Sequence, residues 1–222
     1  MLFTPKIIPL SAWRKYGIDG SRIVRYDALD PVAWLRDLKP NPRILDELGL
    51  DRSKPIVTVR PEESQAAYLI SKGFQKSLSI SLCHVLLREV PDVQVVMIPR
   101  YDPSTLPRRR LNASFVIPCS AVDATSLLHY SNLFLGGGGT MTAEAALLGV
   151  PSISFYPGPA TYVDRYLMGL GLITRTRSIE AIVRYAIRIL RNPSYAKALK
   201  VRSRKVISRM EDPIKVVERH LK

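Results

Sequence analysis

Alternating strand and helix patterns over residues 55–192 predict an α/β fold, a doubly wound parallel sheet of the Rossmann type. The strand runs are apolar throughout instead of alternating, as in strands covered on both faces. The stretches between them repeat apolar residues at helical spacing. One strand ends in four consecutive glycines that lead directly into a helix pattern.

The elements follow in order from Pro55. IVTVR at 56–60 is a β-branched run that ends at Pro61. Ile70, Phe74, Leu78, Leu82 and Leu86 then recur every fourth residue, one face of an amphipathic helix. VQVVMI at 93–98 is the second strand, followed by a loop with Arg108, Arg109 and Arg110, and SFVIP at 114–118 is the third. A short helix after Asp123 carries Leu127, Leu128 and Tyr130, and NLFLG at 132–136 is the fourth strand. GGGGT at 136–140 leads into the helix MTAEAALLG, which Gly149 closes because it tolerates positive φ. PSISFYPG supplies a fifth strand and LIT at 172–174 a candidate sixth. Ile179, Ile182, Val183, Ala186 and Leu190 mark another helix, and Ser194 to Met210 a last long one.

Three parts follow from this pattern: residues 1–54, 55–192 and 193–222. The first carries Pro5, Pro9, Pro31, Pro40 and Pro42 with only short periodic pieces such as 43–49, and reads as a connector without a core of its own. The last is a basic helical extension. From Arg175 onward there are 14 Lys and Arg against 4 Asp and Glu, leaving 19 against 15 for all that precedes, so the net charge of +14 is concentrated in the tail. Such a tail is a solvated face, a surface for anionic lipid or a lipid-pyrophosphate acceptor, or a nucleic-acid patch. No RNA-module signature or interleaving of aromatic and basic residues supports the last, so nucleic acid is the disfavoured partner.

The chain has no membrane-spanning run and no signal-peptide pattern, and is expected to be cytoplasmic, with the basic tail as a route to the membrane surface. Two cysteines without a CxxC spacing, Cys83 and Cys119, predict reduced thiols and no metal site. His84, His129 and His220 are scattered and read as structural. Low Asn and Gln with abundant Arg suits a thermophile.

The chemistry gathers at the glycines. In open parallel sheets, ligands bind beyond the carboxyl ends of the strands, where loops enter helices. Glycines let backbone N–H groups approach an oxyanion, and the helix N-terminus adds the positive end of a dipole, so a diphosphate is the natural guest. Gly137, Gly138, Gly139 and Thr140 are the candidate phosphate residues, with helix N-cap and phosphate donor as competing roles for Thr140. GGGGT matches neither the dinucleotide fingerprint nor the P-loop, since no Lys-Ser/Thr follows, which disfavours both classes. Glu144 has two readings, compensation of the helix dipole and acceptance of ribose hydroxyls. Tyr156, Tyr162 and Asp164 follow the fifth strand, where a sugar would sit, although packing accounts for both tyrosines as well.

The segment FLGGGGTMTAEAALLGVPSISFYPG at 134–158 resembles the C-terminal nucleotide-binding motif of GT-B proteins, among them UDP-GlcNAc 2-epimerases and the transferase that adds GlcNAc to the peptidoglycan lipid intermediate. Together with VRPEES at 59–64 it is similar above all to a mainly archaeal family catalogued as a domain of unknown function. The resemblance implies that Gly138, Gly139 and Thr140 hold UDP phosphates and Glu144 the ribose. It also implies that Arg60 faces the diphosphate, that Ser64 caps the following helix, and that Glu63 and Ser64 lie near the sugar. Glu62 and Glu63 also read as helix-start carboxylates. The histidine of the epimerases has no counterpart in VRPEES. The implied protein binds a nucleotide-sugar, most simply a UDP-sugar, as substrate and needs no cofactor. Glycosyl transfer is expected over epimerisation, and a non-catalytic module docking through its tail is the rival. GT-B enzymes have two Rossmann domains, so a second one, or a partner chain, is expected to supply acceptor groups. Residues 1–54 are then the end of that N-terminal domain.

Overall fold

The computed structural model describes residues 1–63, 78–90, 92–100 and 114–221. Its N-terminal part carries β1 (Leu2–Pro5), α1 (Leu10–Arg14), β2 (Ile23–Tyr26), α2 (Val32–Leu35) and α3 (Arg43–Glu47), with β1 and β2 pairing in parallel. The sheet and its helices follow as β3 (Ile56–Arg60), α4 (Leu78–Glu89), β4 (Gln94–Met97), β5 (Phe115–Val116), α5 (Ala124–Tyr130), β6 (Leu133–Gly136), α6 (Thr140–Leu147), β7 (Ser152–Ser154), α7 (Tyr162–Gly169), β8 (Ile173–Arg175) and α8 (Ile179–Leu190).

All six strands of the main sheet run parallel in the order β5-β4-β3-β6-β7-β8, so β6 and its glycines lie in the middle. This is the doubly wound Rossmann-like fold that the pattern predicts. Because strand side chains alternate, each strand feeds two cores. Val57, Val59, Leu133 and Leu135 pack against Leu82 and Leu86 of α4 and Ile182 and Ala186 of α8. Ile56, Val96 and Ile98 turn the other way, onto Leu127 of α5 and Ile44 of α3, and Phe134 meets Ala145 of α6. The edge strand β5 is shorter than the expected 114–118, since Pro118 has no N–H to give the ladder. Gly149 has φ +72° directly after the last turn of α6, as its expected helix-closing role requires.

Residues 1–54 join a core shared with the sheet domain. Tyr26, Leu29, Val32 and Leu35 pack with Ala146 and Leu147 of α6 and Leu167 of α7. Asn41 N–H donates to Ser126 Oγ at 2.8 Å, and Asp51 N–H to Gln94 Oε1 at 2.7 Å. Proline-rich spacing concealed these contacts, because the apolar residues lie on elements too short to show a period. The tail also differs from the single last helix expected between Ser194 and Met210. It forms α9 (Pro193–Ile207) and α10 (Pro213–Leu221), divided by a turn in which Met210 is buried and Asp212 Oδ1 accepts from Ile214 N–H at 2.9 Å. Proline fits the first turn of a helix and not its interior, which accounts for the restart at Pro213. Among the described residues no helix is long and apolar enough to cross a membrane.

Candidate functional site

The glycine run makes three different contacts along its length. Gly137 N–H donates to Arg60 O at 2.8 Å, continuing the β3–β6 ladder. A Cβ on Gly137 would come within 2.4 Å of the Glu62 backbone nitrogen, so the two strand-end loops touch backbone to backbone. Gly138 (φ +110°) and Gly139 (φ +94°) follow in a backbone region that L side chains rarely adopt. A Cβ on Gly138 would meet the Tyr156 ring at 2.7 Å. No backbone acceptor among the described residues takes the N–H of Gly138 or Gly139.

Gly139 is the N-cap of α6 and Thr140 its first residue, so Thr140 does not cap the helix. Its hydroxyl lies near the Glu144 carboxylate instead and favours the ionised form. Glu144 lies beyond the first turn of α6, which holds no acidic residue. Dipole compensation fades within one turn, so that reading of Glu144 does not hold. Burial pushes the Glu144 carboxyl above its usual range, opposed by the Thr140 hydrogen bond and the charge of Arg60.

Arg100 joins the site although no sequence motif marks it. Its Nε donates to Pro61 O at 2.7 Å and its Nη2 to Gly138 O, bridging the VRPE loop and the glycine loop. It also lies 3.9 Å from Glu63 Oε2. Arg60 donates to Pro99 O at 2.6 Å and to Ile98 O at 3.3 Å, with Arg100, Glu63 and Glu144 as its charged neighbours. Burial, and then the charge of Arg100, lowers its pKa. Two guanidinium groups thus stand beside the glycine loop, each anchored to carbonyl oxygens. Glu62 accepts from Leu78 N–H at 2.8 Å and from the Ser79 hydroxyl, which fits a carboxylate serving a helix. Ser64 and Arg108 to Arg110 lie outside the described residues.

A cleft of about 360 Å³ opens beside Gly138, Gly139 and Thr140. Its facing side is built by Pro5, Ile8 and Asp30 of the N-terminal part, and Tyr156 and Asp164 complete it after β7. Asp164 also forms a reciprocal cap with Thr161 at the start of α7. Tyr162 is no part of that lining. It is exposed, with the Arg165 guanidinium 4.7 Å from its ring centre. Among the described residues no group of three or more His, Cys, Asp or Glu is placed to hold a metal ion.

A Rossmann-like domain with a glycine-rich turn at the end of a central strand is the architecture of the GT-B class, and solved structures bear out the fold. WaaG, a glycosyltransferase involved in lipopolysaccharide biosynthesis, matches with a TM-score of 0.63 at 13% identity over 96% of this chain and 60% of its own. The spinosyn rhamnosyltransferase SpnG, solved with thymidine diphosphate, matches at 0.56 and 18% identity over 77% of this chain and 46% of its own. The C-terminal CMP-Kdo binding domain of WaaA from Acinetobacter baumannii matches at 0.53 and 15% identity over 75% of this chain and 95% of its own. The chain belongs to the family described as "Protein of unknown function (DUF354)", whose model matches residues 1–221. Within the archaea, the uncharacterized protein MJ0665 of Methanocaldococcus jannaschii is 32% identical over 142 residues, 64% of this chain and 40% of that protein. The chain thus spans less than half of this relative's length.

Proposed function

We propose that this chain is the nucleotide-sugar-binding half of a GT-B-type glycosyltransferase and that a UDP-sugar is its donor substrate. One observation carries the reading. Gly138 and Gly139, at the carboxyl end of the central strand β6, have N–H groups that no backbone acceptor takes among the described residues, and they run into α6 beside a cleft.

Those N–H groups, the α6 N-terminus and the nearby Arg60 and Arg100 guanidinium groups all favour a bound oxyanion. The same groups stabilise the charge that develops on a departing diphosphate, so the chemistry needs no resident cofactor and no metal. Glu144, near the Thr140 hydroxyl and the Arg60 charge, accepts the ribose hydroxyls. That SpnG was solved with thymidine diphosphate and that the WaaA domain binds CMP-Kdo support a nucleotide ligand for a domain of this fold. The absence of histidine from VRPEES favours transfer over epimerisation. A second Rossmann domain or a partner chain supplies the acceptor groups, in the cytoplasm or at its membrane surface.

Calorimetric titration with UDP, thymidine diphosphate, CMP and a single-stranded RNA, each at several salt concentrations, tests this. Saturable binding of UDP that changes little with salt supports the site. RNA binding that falls steeply with salt, without UDP binding, replaces it with a charge-driven function.

A further inference from the structure

We propose that Asp30, held by Tyr26, reads the hydroxyl groups of the donor's sugar, which lies in the cleft between the N-terminal part of the chain and the glycine loop. The inference rests on the nucleotide-sugar reading above and adds to it a residue from outside the Rossmann sheet.

The starting point is a carboxylate whose ordinary task has gone elsewhere. Asp30 precedes Pro31 and the short helix α2, a setting in which aspartate commonly caps the helix through its side chain. Here Pro31 is the N-cap residue and no side-chain cap bond forms. Asp30 Oδ1 instead accepts from the Tyr26 hydroxyl, while Oδ2 takes no hydrogen bond from the described residues. Tyr26 is a rigid support, because its ring is buried in the core that α2 shares with α6 and α7. Burial, then the Asp30 hydrogen bond and charge, push the Tyr26 hydroxyl far above its ordinary range, so it stays a proton donor to Asp30 even in alkaline solution.

This anchored carboxylate lines the same cleft as Gly138, Gly139 and Thr140. With a diphosphate on the glycine loop, the next group of the donor is its sugar, and the cleft is the space beside that loop. Its volume of about 360 Å³ lies within the roughly 300–1,000 Å³ range of small-molecule sites. A sugar presents C–H faces and hydroxyl donors. Ile8 and Val163 offer apolar surface to the former, and Asp30 Oδ2 offers an acceptor to the latter. Asp164, across the cleft, likewise has one oxygen engaged, Oδ2 with Thr161 N–H, but its carboxylate serves the cap of α7, whereas Asp30 caps no helix.

The test is calorimetry of the 222-residue chain with UDP, UDP-glucose, UDP-galactose and UDP-GlcNAc, repeated with Asp30→Asn, Asp30→Ala and Tyr26→Phe. At least one UDP-sugar should bind the wild type about tenfold more tightly than UDP, the effect expected of one charged hydrogen bond. Both Asp30 variants should erase that gain while leaving UDP affinity unchanged. Tyr26→Phe should reduce it in part, since the carboxylate stays but loses its anchor. Thermal melting checks that each variant is folded, because Asp30→Ala takes the acceptor from the Tyr26 hydroxyl whereas Asp30→Asn keeps an oxygen for it. The inference is overturned if the gain survives Asp30→Ala, if UDP weakens in step with the sugars, or if no UDP-sugar exceeds UDP on the wild type. Failure of the wild type to bind UDP at all is a separate result, which removes the nucleotide site itself.

Discussion

Arg100 Nη2 donates to the carbonyl of Gly138, and this bond fixes which way the glycine loop faces. In a trans peptide the N–H of the next residue points opposite to the carbonyl, so the Gly139 N–H is directed away from Arg100. Through Nε the same guanidinium holds Pro61 O at 2.7 Å, tying the loop after β3 to the loop after β6. The Gly139 N–H is thereby set before any ligand arrives, the arrangement that makes oxyanion binding cheap in reorganisation.

Replacing Arg100 should therefore weaken diphosphate binding through geometry as well as charge. Arg100→Lys keeps the charge but loses the two-carbonyl bridge, and should still lower UDP affinity by about tenfold, the scale of a charged hydrogen bond. Arg100→Met should lower it further. Equal affinity of the Lys variant and the wild type in calorimetry would show that Arg100 contributes charge alone.

Gly137 and Gly139 should respond differently to substitution. A Cβ at Gly137 collides with the backbone of Glu62, so Gly137→Ala should cost stability, read as a fall in melting temperature, by forcing the two loops apart. At Gly139 the nearest atoms to a Cβ are those of the Arg100 guanidinium, from 3.3 Å, and the strain comes from φ +94°. Gly139→Val should put a side chain at φ +94°, ψ 179°, backbone space essentially restricted to glycine, at a strain of about 1–3 kcal/mol, and place bulk at the proposed diphosphate site. Its main effect should be loss of UDP binding in a folded protein. A variant that melts like the wild type and still binds UDP would remove Gly139 from the site.

The sheet was legible in the sequence because buried parallel strands leave continuous apolar runs, and IVTVR, VQVVMI and NLFLG all became strands. The glycine turn was legible because few other needs place four glycines between a strand and a helix. Arg100 was not, since its partners are the main-chain carbonyls of Pro61 and Gly138, and no spacing of side chains records such bonds. Asp30 was hidden for a related reason. It reaches the cleft through a tertiary contact between residues 26–35 and α6, just before a helix of four residues that carries no detectable period.

The tail makes a prediction of its own. Lys197, Lys200, Arg202, Arg204, Lys205 and Arg209 are all exposed, while Leu199 and Ser203 of the same helix are buried. An outward basic face of this kind gains about 1 kcal/mol per charge near an anionic bilayer, screened within a Debye length. Sedimentation with phosphatidylserine vesicles should capture the chain at low salt and release it at high salt. Changing the six residues to Gln should abolish capture, and persistent capture would shift any membrane contact to another surface.

Glu144 should show opposite effects on stability and on binding. Its folded-state pKa is raised, chiefly by burial, so between the unfolded and folded values the native state holds more protons than the unfolded chain. Stability then falls as pH rises. The Glu144 contribution is fully favourable below the unfolded value near 4.5 and is lost as pH climbs through the raised folded value. Glu144→Gln carries no such charge, so it should flatten this part of the stability profile and melt higher than the wild type at neutral pH. In binding, the charged carboxylate is the better acceptor for two ribose hydroxyls, and Glu144→Ala should lose about 1–3 kcal/mol of UDP affinity. Deoxyribose nucleotides offer fewer hydroxyls, so thymidine diphosphate should lose less than UDP in the same variant. Melting curves from pH 4 to 8 and paired titrations with UDP and thymidine diphosphate check both halves. Equal losses for the two nucleotides would move Glu144 away from the ribose, and an unchanged pH profile in Glu144→Gln would show that its buried charge does not burden the fold.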